Sequence, residues 1–129
     1  MGTWMIGKDE IELGIEVDEK LIEDFIRFTR LTCPESYRRE LFSNPWFFTA
    51  RGTLASLGGK FAEPSVWYKH LRKLFFEPRG IYLPEDIDFL FDGSEAFHQL
   101  CLERQDEWFI WDEKMSGILA DQTLLQKTN

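Results

Sequence analysis

Apolar and polar residues alternate strictly from residue 10 to residue 17. Every second position from 11 to 17 is Ile, Leu or Val, and the positions between them are Glu or Gly. A period of two places alternate side chains on opposite faces of a strand, so we expect a strand with one buried and one acidic face. Residues 3–6 are a candidate partner strand, joined to it by a short hairpin loop.

Helical periodicity follows this segment. Asp18 has the position of an N-cap, because its carboxylate can accept an unpaired N–H of the first turn, and an apolar stripe continues to about Arg30. A second helix is expected from Pro34 to about Phe42, where the chain has capping-box spacing. A third is expected from about Pro45 to Leu57, before a break at two glycines.

The most basic run of the chain is a helix predicted over residues 64–76. Pro64 stands at its start, where a missing N–H is tolerated. One apolar face is predicted from residues that recur at helical spacing, namely Trp67, Leu71, Leu74 and Phe75. A separate basic face is predicted from Lys69, Arg72 and Lys73. Tyr68 and Phe76 are expected to be the more exposed aromatic residues.

The last third of the chain predicts two helices and a strand. A short helix is expected over residues 83–91, with acidic residues in its first turn, and another over 95–104 with Ser94 as its cap. Residues 107–112 contain four large apolar residues between charged ends, which favours a strand, although a helical continuation stays open. Residues 115–117 are expected to form a turn.

Together these patterns predict an α+β fold. We expect a small antiparallel sheet, formed by the two ends of the chain and packed with about five helices. The 129 residues suffice for one hydrophobic core, so a single globular domain over 1–129 is predicted.

The composition of the chain supports a globular protein and indicates its compartment. Aromatic residues make up 16% of the chain, which argues against long disordered segments. No apolar run has the length of a membrane span, and the first residues lack the features of a signal peptide. Two cysteines without motif spacing are typical of a reducing compartment. We therefore expect a cytoplasmic protein without a membrane partner.

The net charge of −8 conceals a strong segregation of charge. Residues 1–26 contain eight acids and two bases, and residues 84–129 contain eleven acids and three bases. Residues 27–83 contain ten bases and four acids. One interpretation is that the basic middle packs between the acidic ends and is neutralised inside the fold. The other is a charged surface for a partner of opposite sign.

No motif in the sequence predicts catalytic residues, a metal site or a cofactor. Glu95, His98 and Cys101 are spaced along one predicted helix, but a zinc or di-iron site needs more ligands than these. Gly58-Gly59-Lys60 lacks the spacing and the Ser or Thr of a phosphate-binding loop.

The acidic ends predict a non-enzymatic protein-binding module, such as a small acidic inhibitor, an adaptor or an immunity-type protein. Carboxylates can complement a basic partner, and exposed aromatic side chains among them would anchor it. The residues expected to bind a protein partner are Trp108, Trp111, Asp112 and Glu113. A homo-oligomer stays open, because a spare aromatic face can equally serve a self-interface.

The sequence also permits two alternative functions. One is a nucleic-acid or phosphate-ligand binder that uses the basic residues Arg51, Lys60, Lys69, Arg72 and Lys73. The overall pI of about 4.8 is low for a nucleic-acid-binding domain. The other alternative is a small enzyme of unknown class.

Overall fold

The computed structural model describes residues 3–34, 43–60 and 62–128, with side chains described to residue 120. Three α-helices lie in these ranges, α1 (Glu19–Leu31), α2 (Glu63–Leu71) and α3 (Glu95–Thr128). Four short strands accompany them, β1 (Met5–Gly7), β2 (Trp46–Phe48), β3 (Leu54–Ser56) and β4 (Phe89–Phe91). The predicted α+β class is confirmed, and the predicted number of about five helices is wrong.

The strands form two separate antiparallel pairs instead of one sheet. In the first pair, β1 lies beside β4, with Met5 opposite Phe91 and Gly7 opposite Phe89. The second pair is the hairpin of β2 and β3, with Trp46 opposite Ser56. The prediction that both chain ends supply one sheet is therefore wrong, because β4 precedes α3 and the hairpin comes from the middle of the chain.

Helix α1 forms where the sequence predicts it. The Asp18 carboxylate accepts a hydrogen bond from the Leu21 N–H at 2.9 Å, which supplies one of the partners that the first turn lacks. Its buried side chains are Leu21, Ile22, Phe25 and Ile26, one continuous stripe.

The central helix is also confirmed, with a change in its faces. Helix α2 continues without interruption as a π-helical turn over Arg72–Phe76 and a 3₁₀ turn over Glu77–Arg79. The wider π-helical turn rotates the residues that follow it relative to an α-helix. As a result Leu74 is 57% exposed, and Phe76 is fully buried in its place. Tyr68 is also buried, so both aromatic residues expected outside lie in the core.

Several predicted elements are replaced by others. The segment from 10 to 17 is not a strand, because only Ile11 pairs with a neighbour, Leu54, and Gly14 has a positive φ of 73°. Residues 45–57 form the β2–β3 hairpin instead of a helix, and its turn contains Gly52 with φ of 77°. Glycine adopts such angles without steric cost.

The last third of the chain differs most from its prediction. Residues 83–88 form neither a helix nor a strand, and they lead into β4. The strand expected at 107–112 and the turn expected at 115–117 both lie inside α3. The start of α3 does follow the prediction, since the Phe97 N–H donates to the Ser94 hydroxyl at 3.0 Å. The helix predicted over 34–42 falls outside the described residues, apart from Pro34.

Most aromatic residues serve the core. The ring of Phe25 on α1 lies 4.6 Å from that of Phe48, 5.5 Å from that of Phe75 and 6.1 Å from that of Trp111, measured between centroids. These neighbours come from β2, the π-helical turn and α3, so one aromatic cluster joins all the main elements. None of the helices in the described ranges has an apolar stretch long enough to cross a membrane.

Candidate functional site

Two acidic segments that are far apart in the sequence meet at one groove of about 350 Å³. One wall is residues 9–12 and the other is residues 84–88. Five carboxyl side chains line it, those of Asp9, Glu10, Glu12, Asp86 and Asp88. The remaining lining residues are Ile11, Pro84 and Ile87, so none of the described lining residues is basic. A volume of this size is at the lower end of ligand-binding pockets.

Backbone hydrogen bonds hold both walls in place. The Lys8 N–H donates to the Asp88 carbonyl at 2.9 Å, at the end of the β1–β4 pair. The N–H and carbonyl of Ile11 are both paired with Leu54, at 2.8 and 2.9 Å. The Tyr68 hydroxyl donates to the Pro84 carbonyl on the opposite wall. The groove is therefore formed before any partner arrives, and little ordering is needed for binding.

The floor of the groove is apolar. Ile11 is only 6% exposed and belongs to the main core, while Ile87 is half-buried and packs against the same core. Five acidic residues line the same groove. Such an arrangement suits a long side chain with an apolar stem and a charged head.

Arg51 partly neutralises one end of the groove. Its guanidinium donates to the carboxylates of Glu10 and, at 2.8 Å, Glu107. The hydrogen bond from Arg51 lowers the pKa of Glu10, and those same carboxylates raise the pKa of Arg51. This one residue of the basic middle thus contacts both acidic ends of the chain.

Arg104 lies beneath the acidic surface. It is 3% exposed and donates to the carbonyls of Ser56 at 3.1 Å and Lys8 at 3.2 Å. Burial lowers the pKa of Arg104, and the carboxylates of Glu107 and Glu10 act in the opposite direction. An arginine remains protonated in spite of such a shift, so the acidic surface has a buried positive charge below it.

The four residues predicted to bind a protein partner are divided between the core and the surface. Trp111 is 5% exposed, and its ring lies 5.7 Å from that of Phe48, so it belongs to the core. Trp108 and Asp112 are half-buried, and Glu113 is exposed. Because this segment is a helix and not a strand, the exposed large residues are Phe109 and Ile110, at 55% and 58%.

The five basic residues predicted to form one surface come from three segments: the β2–β3 turn has Arg51, the segment after β3 has Lys60, and the central helix has Lys69, Arg72 and Lys73. Lys60 follows β3, and its ammonium lies 5.1 Å from the ring centroid of Trp4. Arg72 forms an ion pair with Glu77 at 3.3 Å. The two lysines of the central helix are exposed, and no ion pair joins them to other residues in the described ranges.

Burial shifts the pKa of two further side chains, those of Cys101 and His70. Burial raises the pKa of the Cys101 thiol, and the carboxylate of Asp92 acts in the same direction, which is the reverse of an activated nucleophile. His70 shares a hydrogen bond with the Thr32 hydroxyl at 3.0 Å, and burial lowers its pKa. Within the described ranges, no three His, Cys, Asp or Glu side chains are grouped so that they could hold a metal ion.

The groove residues were not singled out as a group by the sequence, because β4 was expected to be part of a helix. Residues 87–91 read Ile-Asp-Phe-Leu-Phe, and the apolar Leu90 breaks the alternation that would indicate a strand. No family model, curated protein or solved structure matches the chain.

Proposed function

We propose that this chain is a protein-binding module whose acidic groove holds a basic segment of a partner protein. The observation that carries the proposal is that five acidic and three apolar residues line one groove, without a basic residue among the described lining residues. A small acidic inhibitor, an adaptor or an immunity-type protein would use such a groove.

The chemistry of the groove favours arginine or lysine side chains of the partner. Their methylene stems can pack on Ile87 and Pro84 while the charged ends reach the carboxylates. Arginine adds a bidentate hydrogen bond to a carboxylate, which fixes its orientation. The net charge of −8 also attracts a basic partner over a distance, which speeds association at low salt.

A direct test uses a capped peptide of six arginines and isothermal titration calorimetry at low salt. Asp86→Asn/Asp88→Asn removes two charges from the groove without changing side-chain size. Glu19→Gln/Glu95→Gln removes the same charge from two exposed positions outside it. We expect the groove variant to bind about tenfold more weakly and the control to change less than about threefold. Equal losses in both variants would show attraction by net charge alone and overturn the groove.

The alternative of a phosphate or nucleic-acid ligand is supported by Lys69 and Lys73. They are exposed one helical turn apart, so both ammonium groups could reach one phosphate backbone. Arg51, Lys60 and Arg72 contact groups of the same molecule, which leaves this surface smaller than the sequence predicts.

A further inference from the structure

The outer side of α3 exposes large apolar residues that the core does not use. Leu102 is 48% exposed and Phe109 is 55% exposed, seven positions further along the helix. Asp106 and Glu113 are exposed and lie at helical spacing from them, on the same side. We define these four residues as the outer face of α3. None of them lines the acidic groove.

A hollow of about 230 Å³ lies on a different side of α3, since none of the four outer-face residues lines it. Ile110, which is 58% exposed, and Lys114 line it from α3. Val17 and Gly52 line it from the opposite side. The outer face is therefore distinct from this hollow as well as from the acidic groove.

We propose that the outer face of α3 docks an amphipathic helix of a partner protein that carries lysine or arginine beside its apolar stripe. Seven residues of helix span about 10 Å, or two turns, which is the repeat at which a second helix presents its own apolar residues. Leu102 and Phe109 have that spacing.

The charges around the outer face of α3 indicate which kind of partner helix it would bind. Glu103, Asp106 and Glu113 are exposed around the apolar residues, whereas Arg104 of the same helix is buried on the other side. A basic helix would place opposite charges against these carboxylates. A second copy of this outer face would place carboxylates against carboxylates, which costs free energy.

The test uses two labelled peptides of identical composition and fluorescence anisotropy. The first repeats Leu-Lys-Lys-Leu-Leu-Lys-Leu twice, which is amphipathic as a helix. The second repeats Leu-Lys-Leu-Lys-Leu-Lys-Leu twice, which is amphipathic only as a strand. We expect the helical peptide to bind at least about tenfold more tightly, because only it can align its apolar stripe with the outer face.

Two matched variants locate the contact. Leu102→Ser/Phe109→Ser should weaken binding of the helical peptide about tenfold or more. Leu31→Ser/Leu74→Ser removes exposed apolar residues elsewhere, at 69% and 57% exposure, and should change it less than about threefold. Equal binding of both peptides, or equal losses in both variants, would overturn the proposal.

Two further outcomes would also overturn it. If Asp86→Asn/Asp88→Asn weakens the helical peptide as much as the outer-face variant does, the peptide binds the acidic groove. If light scattering shows a dimer that Leu102→Ser/Phe109→Ser abolishes, the occupant is a second copy of this chain. Because the outer face and the groove share no residue, either proposal can fail while the other stands.

Discussion

The cations in the basic middle of the chain and the carboxylates at its acidic ends differ in their contacts within the molecule. In the middle, four cations contact groups of the same molecule, namely Arg51, Lys60, Arg72 and Arg79. At the acidic ends, carboxylates collect around the groove and along α3, where most have no described cation beside them. The segregation seen in the sequence is therefore partly neutralised inside the fold, and the surplus that reaches the surface is acidic.

The largest expected effect on stability comes from replacing Arg104, which is a buried cation of the acidic C-terminal part of the chain. Arg104→Met should lower the free energy of unfolding by about 3 kcal/mol, because the carbonyls of Ser56 and Lys8 lose their charged donor and nearby carboxylates lose a cation. Urea denaturation measures the change. Lys114→Met, the same substitution at an exposed position of α3, should cost less than about 0.5 kcal/mol. Similar losses would mean that Arg104 contributes only through its packing.

Glu63 is an acidic residue of the basic middle, and its pKa is shifted in the opposite direction from the pKa of Glu10. Burial raises the pKa of Glu63 to about 7, from an ordinary value of 4.5. The folded state therefore holds the proton more tightly than the unfolded state does. Its stabilising contribution is complete below pH 4.5 and is lost as the pH rises through about 7.

Glu63→Gln should remove that loss, which is on the order of 1 kcal/mol after allowance for partial exposure. The free energy of unfolding is measured at about pH 5 and about pH 8. Glu19→Gln, the same substitution at an exposed position of α1, is the matched control. An equal change in stability between these pH values in the wild type and in Glu63→Gln would contradict the assignment to Glu63.

The sequence predicts helix α1 from signals within one segment and misses strand β4, which depends on a distant partner. Helix α1 has its cap and its stripe within one segment, so it was predicted correctly. Strand β4 is three residues long and is defined by its pairing with β1. The groove depends on that pairing, since it brings residues 84–88 beside residues 9–12. Pairing across such a separation is not encoded in any local period.

Helix α3 shows how one polar residue can hide a pattern. Phe97, Arg104, Trp111 and Ile118 are all buried and recur every seven residues, which is helical spacing. A charged residue at the second of these positions interrupts the apolar period, and the aromatic run that follows resembles a strand in composition. The exposed Phe109 could not be identified while that run was interpreted as a strand.

The smallest expected effect on stability concerns two exposed lysines of the basic middle. Lys69→Ala/Lys73→Ala should change the free energy of unfolding by less than about 0.5 kcal/mol, because both side chains are exposed and no ion pair joins them to described residues. The variant should also bind the arginine peptide as the wild type does. A loss of stability above 1 kcal/mol, a cut-off of about twice that expectation, would show that these lysines offset carboxylates of the same molecule. The basic middle would then be neutralised throughout, and no cationic surface would remain for a phosphate ligand.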